Sequence, residues 1–137
     1  MSEPLAATVQ AWLESDAVIV HESEHRLEGQ VEAVVAEIHA QGSHAVWVDP
    51  APIHNKMELL EALYRALHLP GWFGFNYDAL QDALEMLEPI NGRLWVLVFR
   101  HFDVLQDNDP DCAAIFIQIC RQVMGMDDRA LFKLILL

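Results

Sequence analysis

Three carboxylates recur at helical spacing near the middle of the 137-residue chain, at Asp78, Asp82 and Glu85. At about 100° per residue, this i, i+4, i+7 spacing places them within a sector of roughly 60° on one helix face. The opposite face carries Leu80, Ala83, Leu84 and Leu87. No Lys or Arg occurs between residues 66 and 92 to offset the carboxylates locally. The pattern predicts a helix that buries leucines and directs its carboxylates outward, either as a solvated face or towards a cationic partner.

Large aromatic side chains crowd the segment just before this helix. Four of the seven residues from 71 to 77 are aromatic, and the glycines at 71 and 74 favour an exposed turn. Asn76 is placed to cap the helix and so to fix the register of the carboxylates. The aromatic residues either belong to the core or form a protein-binding hot spot beside the carboxylates, since Trp and Tyr give large contact areas at low entropic cost.

Metal binding and catalysis are the weaker alternatives. None of the seven histidines belongs to a His-Glu-x-x-His or comparable ligand pattern. Asp78 and Asp82 resemble a catalytic dyad, but an exposed helix offers no route to the desolvation that raises a carboxylate pKa. His101 and Asp103 are expected in a surface loop. The sequence therefore predicts no catalytic residue, no metal site and no cofactor.

The composition indicates a folded acidic protein. The chain has 21 Asp and Glu against 8 Lys and Arg, a formal net charge of −13, and 53% apolar residues. This apolar content excludes a disordered acidic tail, and the charge argues against direct binding of nucleic acid and for a basic protein partner. The sequence offers no apolar stretch of membrane-spanning length and no basic signal-peptide region. We therefore expect a cytoplasmic protein without membrane contact.

The two cysteines, Cys112 and Cys120, fall on one predicted helix. Eight residues separate them by about 12 Å along a helix axis. A disulfide needs Cα atoms within about 7 Å, so both are expected to be free, buried thiols.

Strand and helix patterns alternate along the chain and define the scaffold for the carboxylate helix. Strands are predicted near residues 17–20, 45–48, 94–99 and 131–137. Helices are predicted near residues 27–38, 55–67, 76–87 and 110–124, and a weaker helical pattern covers residues 5–13. This β-α-β-α-α-β-α-β order predicts an α/β fold with a small, mostly parallel sheet flanked by helices. We expect a single domain over residues 17–137, preceded by an N-terminal extension over residues 1–16.

The segment from Leu69 to Leu84 resembles the signature of the barstar family, whose members inhibit the ribonuclease barnase inside the cell. The shared pattern is Leu-Pro, an aromatic pair, Gly, Asn, then Asp-Ala-Leu with a second Asp four residues after the first. The resemblance extends over residues 44–137, and residues 17–41 resemble the additional N-terminal strand and helix of longer members. It implies a small parallel sheet flanked by helices and an immunity-type inhibitor that plugs the RNA site of a basic ribonuclease.

Carried over residue by residue, the resemblance places the loop aromatics at Trp72 and Phe73 and the helix carboxylates at Asp78 and Asp82. Asp82 is then the anchor that stands in for an RNA phosphate, a role that spacing alone does not assign. The partner-binding surface expected from both arguments comprises Trp72, Phe73, Gly74, Asn76, Asp78, Gln81, Asp82 and Glu85.

Three positions depart from the family pattern. Gln81 replaces a bulky aromatic residue, Phe75 replaces an acidic residue of the loop, and Gln122 replaces a glutamate of the late helix. These differences leave open whether the partner is barnase, a different ribonuclease or another basic protein. The alternative function is a barstar-like acidic interaction domain with a partner that is not a nuclease.

Overall fold

A computed structural model describes residues 4–22 and 27–137, which form one sheet flanked by helices. The strands are β1 (Ile19–His21), β2 (His44–Trp47), β3 (Trp95–Phe99) and β4 (Leu131–Leu136). The helices are α1 (Leu5–Glu14), α2 (Val31–Ala40), α3 (Lys56–Ala66), α4 (Tyr77–Glu85), α5 (Phe102–Asn108) and α6 (Pro110–Met124), and a short 3-10 turn (Glu28–Gln30) precedes α2. Among these residues, none of the helices has both the length and the apolar character to cross a bilayer.

The strands are all parallel and lie in the order β1-β4-β3-β2. The predicted α/β fold with a parallel sheet is therefore confirmed, and the strands expected near residues 45–48, 94–99 and 131–137 are indeed neighbours. β3 and β4 are central, while β1 and β2 form the edges. β1 and β2 are consecutive strands of the chain but lie at opposite edges of the sheet, so the connection that contains α2 crosses the sheet.

Helices cover both faces of the sheet. On one face α3, α4, α5 and α6 pack over the sheet, and the cluster includes Leu60, Leu80, Leu97, Phe99, Phe116 and Leu134. On the other face α1 and α2 contribute to a second cluster, which includes Val9, Trp12, Val34, Ile38, Val96, Val98 and Ile135. Every residue of β3 is buried. Burial on both faces explains why residues 94–99 form an unbroken apolar run instead of an alternating pattern.

A buried lysine fastens the end of α1 to the sheet. Lys133 lies on β4, and its ammonium donates hydrogen bonds to the backbone carbonyls of Ser15 and Ala17. Burial lowers the pKa of Lys133. Ser15 is the C-terminal cap of α1, where a positive charge is favoured by the helix dipole. The division of the chain into residues 1–16 and residues 17–137 stays a prediction.

Three helices begin at the positions that were predicted from their capping residues. The side chains of Asn55, Asn76 and Asp109 accept hydrogen bonds from the backbone N–H groups of the first turns of α3, α4 and α6. Pro110 occupies the first turn of α6, and Gly125 caps its end. Both cysteines lie on α6 as free, buried thiols, as predicted.

The surface loop predicted at His101 and Asp103 is wrong for Asp103, which lies in α5, whereas His101 immediately precedes that helix. Phe102 and Leu105, three residues apart, point into the core, and Phe102 contacts the rings of Phe99 and Phe116. A seven-residue helix with two buried apolar positions gives too short a pattern to detect. Packing against the core, not intrinsic propensity, stabilises such a short helix.

Candidate functional site

The helix α4 presents the predicted carboxylates to solvent. Asp78, Asp82 and Glu85 are exposed, while Leu80 and Leu84 are buried on the side that packs against α6. Gln81 is half-buried, and its Nε2 donates a hydrogen bond to Glu85 Oε1 at 3.1 Å. The helical periodicity therefore predicted the orientation of this face correctly.

The cap at Asn76 fixes where α4 begins. Asn76 Oδ1 accepts from the backbone N–H of Ala79 at 2.8 Å, and Nδ2 donates to the carbonyl of Gly74 at 3.2 Å. A Cβ at position 74 would lie 3.0 Å from Asn76 Nδ2. Gly74 therefore lets the loop close tightly on the cap. Asp78 lies in the first turn of α4, where the helix dipole favours a negative charge.

The aromatic loop divides into exposed and buried side chains. Trp72 is 66% exposed, but Phe73 is only 4% exposed, so the predicted exposure of Phe73 is wrong. The ring of Phe73 stacks on Tyr64 of α3 at 6.1 Å and meets Phe75 edge-on at 5.0 Å, and Phe75 lies 5.3 Å from Tyr64. The rings of Phe73 and Phe75 thus pack against α3 and fix the loop to it. Trp72 is the one strongly exposed aromatic residue of the loop.

The start of α4 is anchored by residues distant in the sequence. The ammonium of Lys56, at the start of α3, lies 4.2 Å from the centroid of the Tyr77 ring. Burial and a hydrogen bond with Cys112 of α6 raise the pKa of Tyr77. Sequence reasoning missed Lys56, because no local pattern relates residues 56 and 77. The fold therefore brings one cation near the start of an otherwise acidic helix.

The carboxylates of α4 make no ion pair with a Lys or Arg of the described residues. The ion pairs found within residues 4–22 and 27–137 are Glu61 with Arg65 at 3.5 Å and Glu58 with His54 at 2.9 Å, both on or beside α3. Asp78, Asp82 and Glu85 are thus free to pair with an external cation. The predicted exposure of Asp82 is confirmed.

The most buried aspartate lies at the carboxyl end of β2 and belongs to the fold. Asp49 Oδ1 accepts from the backbone N–H of Arg100 at 2.7 Å and from the indole of Trp47 at 3.1 Å, and Oδ2 accepts from the N–H of His101 at 2.8 Å. Burial raises the pKa of Asp49, although these hydrogen bonds oppose the effect. Asp49 joins the ends of β2 and β3.

Histidines gather at the opposite end of the sheet without forming a metal site. The ring of His44 lies 5.2 Å from His39 and 4.6 Å from Trp95, and burial lowers the pKa of His44. In the part of the chain that the structure describes, no group of three or more His, Cys, Asp or Glu residues could hold a metal ion. The absence of a cofactor stays a prediction.

A cleft of about 360 Å³ lies between α3 and the segment that follows β2, with Trp47, Pro50, Ile53, Glu58 and Arg65 among its lining residues. None of the predicted site residues lines this cleft. The candidate site is instead an exposed helix face with one neighbouring aromatic side chain. Such a surface suits contact with a protein better than the enclosure of a small molecule, which needs a concave pocket.

Comparison with known proteins supports this interpretation. A family model described as Barstar (barnase inhibitor) matches residues 43–136, which is more than half of the chain. The matched region contains the whole loop and all of α4. A comparison with curated proteins found no match.

Proposed function

Because the chain belongs to the barstar family, we propose that it is a proteinaceous inhibitor of a basic ribonuclease. In this proposal the carboxylates of α4 and the exposed Trp72 cover the RNA site of the enzyme. The protein acts by binding, and its own residues perform no catalysis.

One observation carries the proposal: Asp78, Asp82 and Glu85 project from one capped helix and have no Lys or Arg partner within the described residues. A ribonuclease holds RNA phosphates with cationic side chains. Carboxylates three or four residues apart on a helix lie roughly 5–6 Å apart, so they can pair with several of these cations together. Asp82 occupies the middle of the row, and the family resemblance makes it the anchor.

The net charge and the local geometry have separate roles in this proposal. The formal net charge of −13 attracts a basic enzyme over long range and speeds association. The Asn76 cap and the packing of Leu80 and Leu84 hold the carboxylates in fixed positions. Little side-chain or loop ordering then remains to oppose binding, which favours affinity.

A barstar-like interaction domain with a non-nuclease basic partner is the second candidate. The observation that favours it concerns Phe75, which takes the place of an acidic residue in the family pattern. The ring of Phe75 packs against Tyr64. The loop therefore has an apolar contact with its own chain at a position where the family pattern has an acidic residue. The surface therefore differs from the family pattern in the loop that precedes α4.

Affinity capture on the full chain, followed by a ribonuclease assay of the captured protein, tests the proposal. Barnase is assayed in parallel for inhibition of RNA cleavage. We expect capture of a basic ribonuclease whose activity falls in proportion to added inhibitor. A captured partner without nuclease activity, together with uninhibited barnase, would favour the second candidate.

The anchor is tested with Asp82→Ala. Removal of one partner of a buried charge pair is expected to weaken binding by on the order of 2–5 kcal/mol or more, a range that rests in part on members of this family. Asp78→Ala and Trp72→Ala are expected to cost less. Glu32→Ala is the matched control, because it removes one exposed carboxylate from α2 on the opposite face of the sheet. Equal affinities of wild type and Asp82→Ala would contradict the mechanism.

A further inference from the structure

Exposed apolar side chains are few, and two of them flank α4. Among the described residues, the large apolar side chains that are strongly exposed are Trp72 at 66%, Met86 at 64%, Met57 at 50% and Met126 at 36%. Trp72 precedes α4, and Met86 is the residue that caps its C-terminal end. The two largest exposures therefore lie at the two ends of the carboxylate row.

Helix geometry places Met86 beside the anchor. Met86 keeps helical backbone angles, with φ −88° and ψ −3°, and follows Asp82 by four residues. Side chains at i and i+4 are neighbours on a helix surface, roughly 5–6 Å apart at Cβ. Met86 thus borders Asp82 on one side, while Gln81 and Glu85, joined by their hydrogen bond, border it on the other.

We propose that Met86 forms an apolar contact beside the Asp82 anchor. The surface then fits a basic ribonuclease that carries two apolar patches beside its cationic RNA site, one facing each end of α4. This inference rests on the proposed function. Trp72 meets one patch and Met86 the other. The nine residues of α4 extend about 13 Å along the helix axis, and the cations of the enzyme face the carboxylates over this length.

The physical reason for the contact is exclusion of water from the charge pair. Contacts around a hot spot remove water from it, and a Coulomb interaction strengthens as the local dielectric falls. Methionine suits this position because its unbranched side chain adapts to an irregular apolar surface. A methionine that is 64% exposed to water gains little from the fold of its own chain, but it gains from a partner that covers it.

The chain offers a matched control for this contact. Met57 is also strongly exposed, but it lies in the first turn of α3. Its neighbour Lys56 contacts Tyr77 at the N-terminal end of α4, the end away from Met86. Met57→Ala therefore removes the same exposed side chain at a position away from the C-terminal end of α4, where the Met86 contact is proposed.

The test measures inhibition by Met86→Ala, Met86→Gln, Met57→Ala and Asp82→Ala. The probe is barnase or, where the wild type does not inhibit barnase, the basic ribonuclease captured with the full chain. We expect both Met86 variants to raise the inhibition constant about tenfold, and Met57→Ala to change it less than about twofold. Urea unfolding verifies that the Met86 variants remain folded. Met86→Gln keeps a side chain of similar size but replaces its apolar end with an amide, so it separates the loss of apolar character from the loss of size.

Salt distinguishes the apolar contact from long-range attraction. The fold-change caused by Met86→Ala should persist at high ionic strength, whereas the fall in association rate caused by removal of an exposed rim charge, as in Glu88→Gln, should shrink as salt screens that charge. Equal inhibition constants for Met86→Ala and Met57→Ala, with Asp82→Ala impaired, would overturn the role of Met86 and leave the proposed function intact. A wild-type chain that inhibits no basic ribonuclease would overturn the proposed function and this inference with it.

Discussion

Asp49 and Asp82 show two opposite uses of the same side chain. Asp49 lies buried at the carboxyl end of β2, where three N–H groups of its own chain donate to its two oxygens. Asp82 lies exposed on α4, without a Lys or Arg partner among the described residues. The carboxylate at the sheet edge is satisfied by the fold, whereas the one on the helix is available to a partner.

This difference shows that net charge alone does not locate a binding surface. The 21 acidic residues contribute equally to the formal charge, but each acts according to the donors around it. A carboxylate that its own chain satisfies in full stabilises the fold, because buried polar groups need partners. A row of carboxylates without a Lys or Arg partner among the described residues is open to cations from outside the chain.

The largest expected effect comes from Asp49→Ala. The substitution leaves the N–H groups of Arg100 and His101 and the indole of Trp47 without their acceptor, so the free energy of unfolding should fall by about 3 kcal/mol or more. Urea denaturation measures this loss. Asp82→Ala is the control, expected to change stability by less than about 0.5 kcal/mol, as is usual at exposed positions. Similar losses for both variants would remove the distinction between the two regions.

A smaller effect is expected from Asn76→Ala, which removes the cap of α4. Loss of a capping side chain typically costs about 1 kcal/mol of stability. The matched control is Asn55→Ala, which removes the equivalent cap from α3. Both variants should lose comparable stability in urea denaturation, but only Asn76→Ala should also weaken inhibition, since α4 carries the carboxylates. Equal inhibition by the two variants would show that fixed carboxylate positions are unnecessary.

The smallest effect concerns the pH dependence of stability at Asp49. Burial raises the pKa of Asp49 above its usual value of 3.8, so the folded state binds the proton more tightly than the unfolded state does. The contribution of Asp49 to stability is therefore fully present below the unfolded pKa and falls as pH rises through the folded pKa. Urea midpoints of wild type and Asp49→Asn between about pH 3 and pH 7 isolate this contribution. A wild-type advantage that grows with pH would contradict the assigned direction.

The elements that sequence predicts well are those with a local physical signature. The unbroken apolar run of β3 indicates burial on both faces, and Asn76 and Asp109 mark helix starts because their side chains satisfy free N–H groups. The outward direction of Asp82 follows from helical periodicity in the same way. Each of these signals lies within a few residues of the feature that it predicts.

What sequence does not predict depends on contacts between distant segments. Phe73 and Trp72 are adjacent aromatic residues in a loop without periodicity, and only the position of Tyr64 on α3 decides that Phe73 turns inward. The approach of Lys56 to Tyr77 likewise depends on how α3 and α4 pack. Met86 carries no motif, and its exposure becomes evident only where α4 ends.

The buried Lys133 ties the region matched by the family model to residues that precede the match. The match begins at residue 43, but the ammonium of Lys133 is satisfied by carbonyls of Ser15 and Ala17. A truncated protein that starts at residue 43 would retain every residue of the proposed inhibitory surface. It would also leave the ammonium of Lys133 without its two carbonyl acceptors. The apolar side chains of Val96, Val98 and Ile135, which α1 and α2 cover, would become exposed. Such a fragment would be prone to aggregate through its sheet, so the residues that precede the match need to be kept when the protein is expressed.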